Sequence, residues 1–303
     1  MSKTAEIAPL RQLIPAQTLT NRHTKSTRTL LGLLFSSAVA LLAYRRRSLS
    51  RSGVAGTIVA GTTTLGMGGW PWGLSLIFFF VTSSFLSHFR EREKAGTAAD
   101  KFSKGSQRDW LQVAANGGVA TALALTHGAT TSPTLHSLAQ AGYVGALATA
   151  NADTWATELG VLSPHAPRLI TTGQKTTPGT SGGVTLLGTG AAAAGSLSLS
   201  FFFWLIQRKH GTNLALPFIT FISGLAGCLF DSFLGATVQA MYYCPVCDKE
   251  TERRVHSCRT KTLPLRGLPW MNNDVVNLLA TLFGASAAIT FSIPFLQNLH
   301  RHK

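Results

Sequence analysis

The feature that most constrains this chain is the recurrence of long apolar segments along its 303 residues. A helix needs roughly 20 apolar residues to cross a hydrocarbon core of about 30 Å. Segments that approach or exceed this length occur at residues 29–44, 53–69, 71–89, 110–128, 136–152, 184–206, 214–240 and 274–297. The pattern predicts an all-α, polytopic integral membrane bundle of about eight transmembrane helices. The first two segments are short, so either is alternatively a re-entrant or interfacial piece that protein must cover.

The composition agrees with a membrane protein and argues against a nucleic-acid-binding one. Charged residues make up 13% of the chain, whereas soluble domains carry about 25%. The net charge of +15 comes from Lys and Arg that lie mainly in short connections between the apolar segments, not on a soluble face interleaved with aromatic residues. We therefore expect a membrane lipid as partner and no nucleic acid. The composition leaves the oligomeric state open.

The basic residues are unevenly divided between the two ends of the predicted helices. Of the 27 Lys and Arg residues, 18 lie in the connections 45–52, 90–109, 153–183 and 241–272. The positive-inside rule places these connections in the cytoplasm and both termini across the membrane. We expect one membrane domain with three longer cytoplasmic loops and two tails: residues 29–297 with loops at 90–109, 153–183 and 241–272, an N-terminal tail 1–28 that is targeting or disordered, and a C-terminal tail 298–303.

Four acidic residues stand in or beside apolar segments, where an ionised carboxylate costs several kcal/mol unless it is paired or bound to a cation. They are Asp153, Glu158, Asp231 and Asp274. Asp231 lies on the order of 13 Å from its helix end, at about 1.5 Å per residue. Asp153, Glu158 and Asp231 are predicted Mg²⁺ ligands. On an unbroken helix, however, Asp153 and Glu158 differ by roughly 140°, so either the helix breaks between them or they have separate roles.

Three glycines share the helical stripe of Asp231, namely Gly224, Gly227 and Gly235. Small residues in such a stripe let another backbone or a ligand approach closely. The stripe therefore indicates either a wall of a ligand site or a tight contact between helices.

The segment "ITTGQKTTPGTSGGVTLLG" at 170–188 combines glycines, hydroxyls and a lysine just before an apolar helix. Such a loop offers backbone N–H groups and a helix N-terminus to a phosphate, although many Gly-rich loops are simple turns. We predict phosphate contacts from Lys175 and from Gly179, Thr180, Ser181, Gly182 and Gly183. Together with the acids, the loop indicates a metal–nucleotide or metal–diphosphate site in which the carboxylates hold Mg²⁺ and the donors neutralise phosphate oxygens.

Two further motifs carry potential ligands. "WMNNDVVN" places Asn273 and Asp274 among four amide and carboxylate groups at a helix entrance, more than an N-cap requires. "CPVCDKETERRVHSC" contains a Cys-x-x-Cys pair followed by a His-x-Cys pair, a spacing that resembles half of many zinc sites. These ligands, Cys244, Cys247, His256 and Cys258, are expected either to close a small zinc loop or to be ordinary free thiols and an imidazole.

The motifs "ADTWATELG", "TPGTSGG", "GCLFDSFLGA" and "NNDVVN", with "KGSQRDWLQVAANGG", resemble the integral membrane family that includes transmembrane protein 19 and the phytyl-phosphate kinase of plant chloroplasts. The resemblance covers about residues 50–295. It implies a Mg²⁺-dependent kinase of an isoprenyl or phytyl monophosphate that uses a nucleoside triphosphate, with CTP favoured. An endomembrane such as the endoplasmic reticulum is the expected location, and an organelle membrane such as the chloroplast envelope is the alternative.

The pattern is also similar to that of membrane-embedded CTP-using enzymes such as dolichol kinase. This similarity implies that Asp153 ligates Mg²⁺, that Lys175 and the Gly-rich loop hold nucleotide phosphates, and that Asp231 with Ser232 completes the metal or acceptor site. If so, the key residues should converge at the cytoplasmic end of the bundle: Asp153, Lys175, Thr180, Asp231 and Asp274. A transporter that moves a cation past the buried acids, and a non-enzymatic membrane organiser, are the alternatives.

Overall fold

The structure, a computed structural model, describes residues 16–98, 107–208 and 213–301. Within these residues the helices are α1 (Ala16–Arg45), α2 (Arg51–Gly68), α3 (Trp70–His88), α4 (Glu91–Ala98), α5 (Trp110–Ala129), α6 (Pro133–Gly160), α7 (Leu186–Gln207), α8 (Ala215–Thr237) and α9 (Asn273–Arg301). The strands are β1 (Arg168–Leu169), β2 (Gly183–Val184), β3 (Met241–Cys244), β4 (Lys249–Thr251) and β5 (Leu263–Arg266). Parts of the predicted tails and of one predicted loop lie outside the described residues: 1–15, 99–106 and 302–303.

Every predicted apolar segment falls on a helix. Within the described residues, five helices are long and apolar enough to cross a membrane: Thr24–Arg45, Trp70–His88, Leu186–Gln207, Ala215–Thr237 and Asn273–Phe295. The long helices α2, α5 and α6 fall outside this set because Gly, Thr, Asn and Gln dilute their apolar residues. The predicted N-terminal tail ends at residue 28, but in the structure the first helix begins before that, at Ala16.

Helix α6 lies at the centre of the bundle and packs against α5, α7, α8 and α9. Every residue from Ala141 to Ala152 is buried, and most of them are Ala or Gly, which lets the neighbouring backbones come close. A Cβ added at Gly145 would lie 2.7 Å from the carbonyl oxygen of Gly284 in α9. The small side chains of α6 therefore set the spacing of the helices around it.

The end of α6 corrects the predicted start of the cytoplasmic loop at residue 153, because the helix continues to Gly160. The segment "ADTWATELG" is polar on one side only. Its other side is apolar and packs on neighbouring helices: Ala156 joins a buried cluster with Ala152, Ala192 and Cys228. This packing extends the helix beyond the apolar segment that the sequence displays.

The predicted loop 241–272 carries a small antiparallel sheet with strand order β4-β3-β5. The strands are three or four residues long. A second, two-stranded sheet joins β1 to β2 and closes the base of the Gly-rich loop. Both sheets lie at the end of the bundle where α6 and α8 end and α7 and α9 begin.

Candidate functional site

A cavity of about 260 Å³, hereafter the polar cavity, opens at this end of the bundle. Its walls come from the last turns of α6 and α8, the first turns of α5, α7 and α9, and the segment between α6 and α7. These elements are far apart along the chain, yet each contributes polar side chains or backbone to one space. Of the predicted site residues, the cavity brings together Asp153, Glu158, Asp231, Ser232, Asn273 and the Gly-rich loop.

Asp153 of α6 and Asp231 of α8 are the acidic groups that reach this cavity from the interior of the helices. Among the described residues, neither carboxylate forms an ion pair with Lys, Arg or His. In the amide orientation that satisfies both partners, the Asn277 side-chain nitrogen donates to Asp231 Oδ2 at a distance of 3.0 Å and to Asn273 O at 3.3 Å. Two carboxylates without a basic partner leave a place for a cation.

Glu158 has a separate role from Asp153, because α6 runs unbroken through both residues. The Glu158 carboxylate forms an ion pair with Lys94 of α4 and accepts a hydrogen bond of 2.6 Å from Ser87 Oγ of α3. The Lys94 ammonium also donates to the carbonyl oxygens of Leu86 and Ser87. Glu158 thus ties α6 to the end of α3 at the rim of the polar cavity.

The segment predicted to contact phosphate, residues 178–183 and hereafter the phosphate loop, lines the polar cavity along its whole length. Thr180 N donates to Thr177 O at 3.1 Å, and Gly183 N donates to Thr180 O at 3.0 Å, so the loop makes two consecutive turns. Gly182 has a φ of +81°, and a Cβ at this position would overlap Ala236 of α8. Glycine is therefore required here for both its backbone conformation and its lack of a side chain.

The loop leads into α7, whose N-cap is Thr185. The Thr185 hydroxyl accepts from Gly188 N at 2.9 Å, and both residues line the polar cavity. The N-terminus of α7, with its positive dipole end, therefore faces the same space as the loop amides. This arrangement suits an anion of several charges, such as a polyphosphate.

Lys175 and Asp274 do not join the cavity lining, which corrects the predicted convergence of five residues. Lys175 is exposed, and its backbone pairs with that of Arg168 before the chain turns at Thr177. Asp274 is the second residue of α9, whereas Asn273 and Asn277 point into the cavity. These two asparagines are four residues apart and share a face, from which Asp274 is rotated by about 100°.

Arg108 is the basic residue of the cavity that sequence reasoning missed, although it lies within the quoted motif "KGSQRDWLQVAANGG". Its guanidinium donates to Ser84 Oγ at 3.1 Å and lies 5.8 Å from the ring centroid of Phe80. Burial lowers the pKa of Arg108, and the nearby Glu158 opposes this shift. Since the pKa of an arginine lies far above neutral pH, the Arg108 guanidinium keeps its charge and has donors left for an anion.

A second, apolar cavity of about 80 Å³ adjoins the polar one. Helices α1, α2, α3 and α5 form its walls, with Phe35, Val39, Ile77 and Phe79 among the lining residues. Four residues line both cavities: Arg108, Gln112, Asn116 and Thr154. An amphiphile with a charged head and an apolar chain would thus meet the Arg108 guanidinium where its head ends and its chain begins.

Comparison with known proteins decides the family. The profile of the family described as "Integral membrane protein DUF92" matches residues 34–285. The chain belongs to the DUF92 integral membrane family. This match confirms the family resemblance predicted from the motifs, and it establishes a multi-pass membrane protein.

Relatives of this DUF92 protein occur in plants and archaea. It is 34% identical to Protein PGR of Arabidopsis thaliana over 274 residues, which covers 84% of this chain and 93% of the relative. It is 27% identical to an uncharacterized membrane protein of Methanocaldococcus jannaschii, over 85% of this chain and 91% of the relative. It is 26% identical to Protein VTE6, chloroplastic, of Arabidopsis thaliana, over 82% of this chain and 67% of the relative. No solved structure matches the chain.

The glycine stripe of α8 packs tightly against other elements of the DUF92 protein, which decides between its two predicted roles. A Cβ at Gly224 would lie 2.6 Å from Ala148 Cβ of α6, and one at Gly235 would lie 2.6 Å from Ser181 Oγ. A Cβ at Gly227 would overlap Thr149 of α6. The stripe therefore serves helix packing and supports the phosphate loop, and it leaves no room for a lipid chain.

The four residues of the predicted zinc loop also converge: Cys244, Cys247, His256 and Cys258. Their ligating atoms all lie within 4.8 Å of one another. Hydrogen bonds with Thr260 and His256 lower the pKa of the Cys258 thiol to about 6. A hydrogen bond with Cys258 raises the pKa of Cys247 to about 11.

Glu252, another residue that sequence reasoning missed, carries a further carboxylate from the small sheet into the polar cavity. Its Oε1 accepts from Gln239 Nε2 at 2.9 Å, and Gln239 Oε1 accepts from Ser181 Oγ at 2.7 Å. Arg266 of β5 donates to the Ser181 carbonyl oxygen at 3.0 Å. The sheet is thus hydrogen-bonded to the phosphate loop.

Proposed function

We propose that this DUF92 protein is a Mg²⁺-dependent kinase that transfers a phosphoryl group from a nucleoside triphosphate, with CTP favoured, to an isoprenyl or phytyl monophosphate. The observation that carries the proposal is the polar cavity, which joins an apolar cavity at Arg108. The family resemblance seen in the motifs supports the choice of isoprenyl and phytyl substrates.

The nucleotide is assigned to the side of the polar cavity formed by the phosphate loop and α7. Loop amides, the Thr180 hydroxyl and the helix N-terminus are donors for phosphate oxygens. The Ser181 hydroxyl donates to Gln239 instead and holds the loop in place. Lys175 has no role in this proposal, because it lies outside the cavity lining.

Asp153 and Asp231 are the residues that would hold Mg²⁺. Carboxylate and amide oxygens suit this hard cation, and the carboxylates of both residues lack a basic partner among the described residues. The Asn277 amide nitrogen donates to Asp231 Oδ2 and so orients this carboxylate. A bound Mg²⁺ supplies charge neutralisation for phosphate oxygens that would otherwise meet these carboxylates.

The lipid monophosphate is assigned to Arg108, with its chain in the apolar cavity. Arg108 has hydrogen bonds to Ser84 and Ser87, and a guanidinium has five donors in total. Its remaining N–H groups can form a bidentate pair of hydrogen bonds with a phosphate. The apolar cavity replaces the α8 glycine stripe as the proposed wall for the chain.

The reaction requires positioning and charge neutralisation more than covalent participation by the protein. An oxygen of the lipid monophosphate attacks the γ-phosphorus of the nucleotide, and a new P–O bond forms. The bond from the γ-phosphorus to the bridging oxygen breaks, and the nucleoside diphosphate leaves with the electron pair. Arg108 holds the acceptor phosphate, while the phosphate loop holds the donor, so that the two meet inside one cavity.

We further propose that all eight long helices cross the membrane and that the polar cavity faces the cytoplasm or its organellar equivalent. The connections that surround the cavity hold most of the Lys and Arg residues, as the positive-inside rule requires. Of the relatives described above, VTE6 has a compartment in its name, the chloroplast. An organelle membrane is therefore the proposed location, and nothing among these relatives supports the endoplasmic reticulum.

The test uses purified full-length protein with Mg²⁺, γ-labelled nucleotides and a panel of isoprenyl and phytyl monophosphates. Transfer of label to a lipid is expected for the wild type and for Glu93→Gln, which changes an exposed ion pair of α4. Asp153→Asn should transfer little label. If folded wild-type protein labels no lipid from any nucleotide, the kinase proposal is wrong, and the transporter or organiser alternative gains weight.

A further inference from the structure

We propose that Cys244, Cys247, His256 and Cys258 bind one structural Zn²⁺, and that this ion holds Glu252 at the polar cavity. The zinc site goes beyond the kinase proposal and is independent of it. Only the expected effect on turnover rests on the proposed function.

The distances between the four side chains suit a single tetrahedral ion. Cys244 Sγ lies 3.6 Å from Cys258 Sγ, and His256 Nδ1 lies 3.2 Å from Cys258 Sγ. A disulfide would require about 2.05 Å between the sulfurs. Ligands around zinc, with Zn–S bonds of about 2.3 Å, are separated by roughly 3.8 Å at the tetrahedral angle. The two separations of Cys258 Sγ, from Cys244 Sγ and from His256 Nδ1, therefore fit co-ligands of one ion.

The surroundings of the cluster give a second, independent observation. His256 is 4% exposed, and its Nε2 is buried without a hydrogen-bond partner among the described residues. Cys244 is fully buried. The other ring nitrogen, Nδ1, faces Cys258 Sγ, so coordination of Zn²⁺ through Nδ1 would fix the orientation of this buried ring. Three thiolates and one imidazole favour Zn²⁺ over the harder cations Mg²⁺ and Ca²⁺.

The local fold depends on such a cross-link. Strands β3 and β4 pair through three residues each, and strands this short cannot build a hydrophobic core of their own. The ligands come from the end of β3, the following turn and the segment after β4. One ion would thus join the turn of the hairpin to the chain that follows β4, as structural zinc does in other small domains.

The hairpin is connected to the polar cavity by a continuous chain of hydrogen bonds. Glu252 lies between the ligands Cys247 and His256, so the ion fixes its backbone on both sides. From Glu252, bonds of 2.9 Å and 2.7 Å lead through the buried Gln239 to Ser181 of the phosphate loop. Removal of the ion should therefore loosen both Glu252 and the phosphate loop.

The decisive measurement is the zinc content of the full-length protein, purified without added metal, by inductively coupled plasma mass spectrometry. We expect one zinc per chain in the wild type and less than a fifth of that in Cys244→Ser and His256→Asn. The matched control is Cys228→Ser, because Cys228 is the remaining cysteine and lies in α8. This control should keep one zinc.

Thiol reactivity covers the case in which a ligand variant does not fold. In the folded wild type, chelation by a strong zinc chelator should make three further thiols reactive, and readdition of Zn²⁺ should protect them again. Co²⁺ in place of Zn²⁺ should give the visible absorption of a tetrahedral thiolate site. A folded wild type that contains no zinc and binds none, or that has a disulfide between Cys244 and Cys258, would overturn the proposal.

The link to the cavity has its own test. Glu252→Gln should keep one zinc per chain while lowering lipid labelling about tenfold, and chelated wild type should lose labelling reversibly. Chelation without any effect on labelling would contradict the link but not the zinc site. A wild type that binds zinc and labels no lipid would refute the kinase proposal alone.

Discussion

Asp153 and Asp231 come from different helices, yet their carboxylates face one cavity, and the described residues provide neither with a basic partner. Asp231 instead receives a hydrogen bond from the neutral Asn277 amide. In the proposed kinase, a cation from solution balances the negative charge of these carboxylates. The two aspartates are therefore the side chains whose charge should matter most for turnover.

Asp153→Asn and Asp231→Asn should each lower kcat/KM for phosphoryl transfer at least about 100-fold, the typical loss for a group that stabilises transition-state charge. The measurement is initial rates across a range of Mg²⁺ concentrations, and residual activity should require more Mg²⁺. Glu93→Gln, at an exposed carboxylate, is the control and should behave like wild type. Unchanged Mg²⁺ dependence in both aspartate variants would contradict the assignment of Mg²⁺ to these residues.

Arg108 should determine the affinity for the lipid phosphate. Arg108→Lys keeps the charge but loses the planar pair of donors, and Arg108→Gln loses both. We expect the KM for the lipid monophosphate to rise about tenfold and about 100-fold, respectively, while the KM for the nucleotide changes little. Arg92→Gln, at an exposed residue of α4, is the control. Equal effects on both substrates would contradict the assignment of Arg108 to the lipid.

The sequence identifies site residues whose charge is unusual for their own segment. It does not identify charged residues in polar loops that tertiary packing brings to the polar cavity. Asp153 and Asp231 stand out because an acid beside apolar residues is costly. Arg108 and Glu252 look like ordinary charges of polar loops, and only the packing of distant elements brings them to the cavity. Lys175 shows the converse error. Its place in a Gly-rich segment suggests a phosphate ligand, but its backbone pairs with Arg168 and it does not line the polar cavity.

At the scale of helices, one small side chain governs the contact of three elements. Thr149 of α6 is buried, and its hydroxyl donates to Gly145 O of the same helix at 2.9 Å. A Cβ at Gly227 of α8 or at Gly284 of α9 would overlap this side chain. The absence of side chains at both glycines is therefore a condition for bringing α8 and α9 onto α6.

Gly284→Ala should lower the free energy of unfolding by about 1–3 kcal/mol, because it overpacks the contact with Thr149. Thermal unfolding of the protein in detergent measures the change as a lower Tm. The double variant Gly284→Ala with Thr149→Ala should recover most of the loss. Gly118→Ala, in α5 with nothing within 4 Å of the added Cβ, should leave Tm unchanged or raise it. A Gly284→Ala protein as stable as wild type would contradict this packing.

Helix positions could be predicted from the sequence better than helix ends. The apolar segments mark where helices lie, but the last two turns of α6 contain Asp153, Thr154 and Glu158 and resemble a loop. They are helical because Trp155 and Ala156 on the opposite side pack against α7, with Trp155 Cγ only 3.0 Å from where a Cβ at Gly195 would stand. Such one-sided support is not visible without the neighbouring helix.

For the whole molecule, the proposed arrangement places the phosphate loop and the α5–α6 connection on opposite sides of the membrane. A cysteine at Thr172, which is exposed in the α6–α7 connection that also contains the phosphate loop, should react with a membrane-impermeant maleimide only from the cytoplasmic or equivalent side. A cysteine at Thr131, exposed between α5 and α6, should react only from the other side. Sealed vesicles of both orientations, with the parent protein as blank, provide the measurement. Labelling of both positions from one side would contradict the eight-helix arrangement.

The central position of α6 also bears on how the protein is made. The five strongly apolar helices can each leave the translocon for lipid on the strength of their own side chains. Helix α6, with Asn151 and Asp153 among its residues, is poorly suited to lipid before its partners surround it. Its partners α7, α8 and α9 are synthesised after it. Helix α6 should therefore wait at the insertion machinery until these later helices emerge, so that membrane integration and assembly of the polar cavity become a single step.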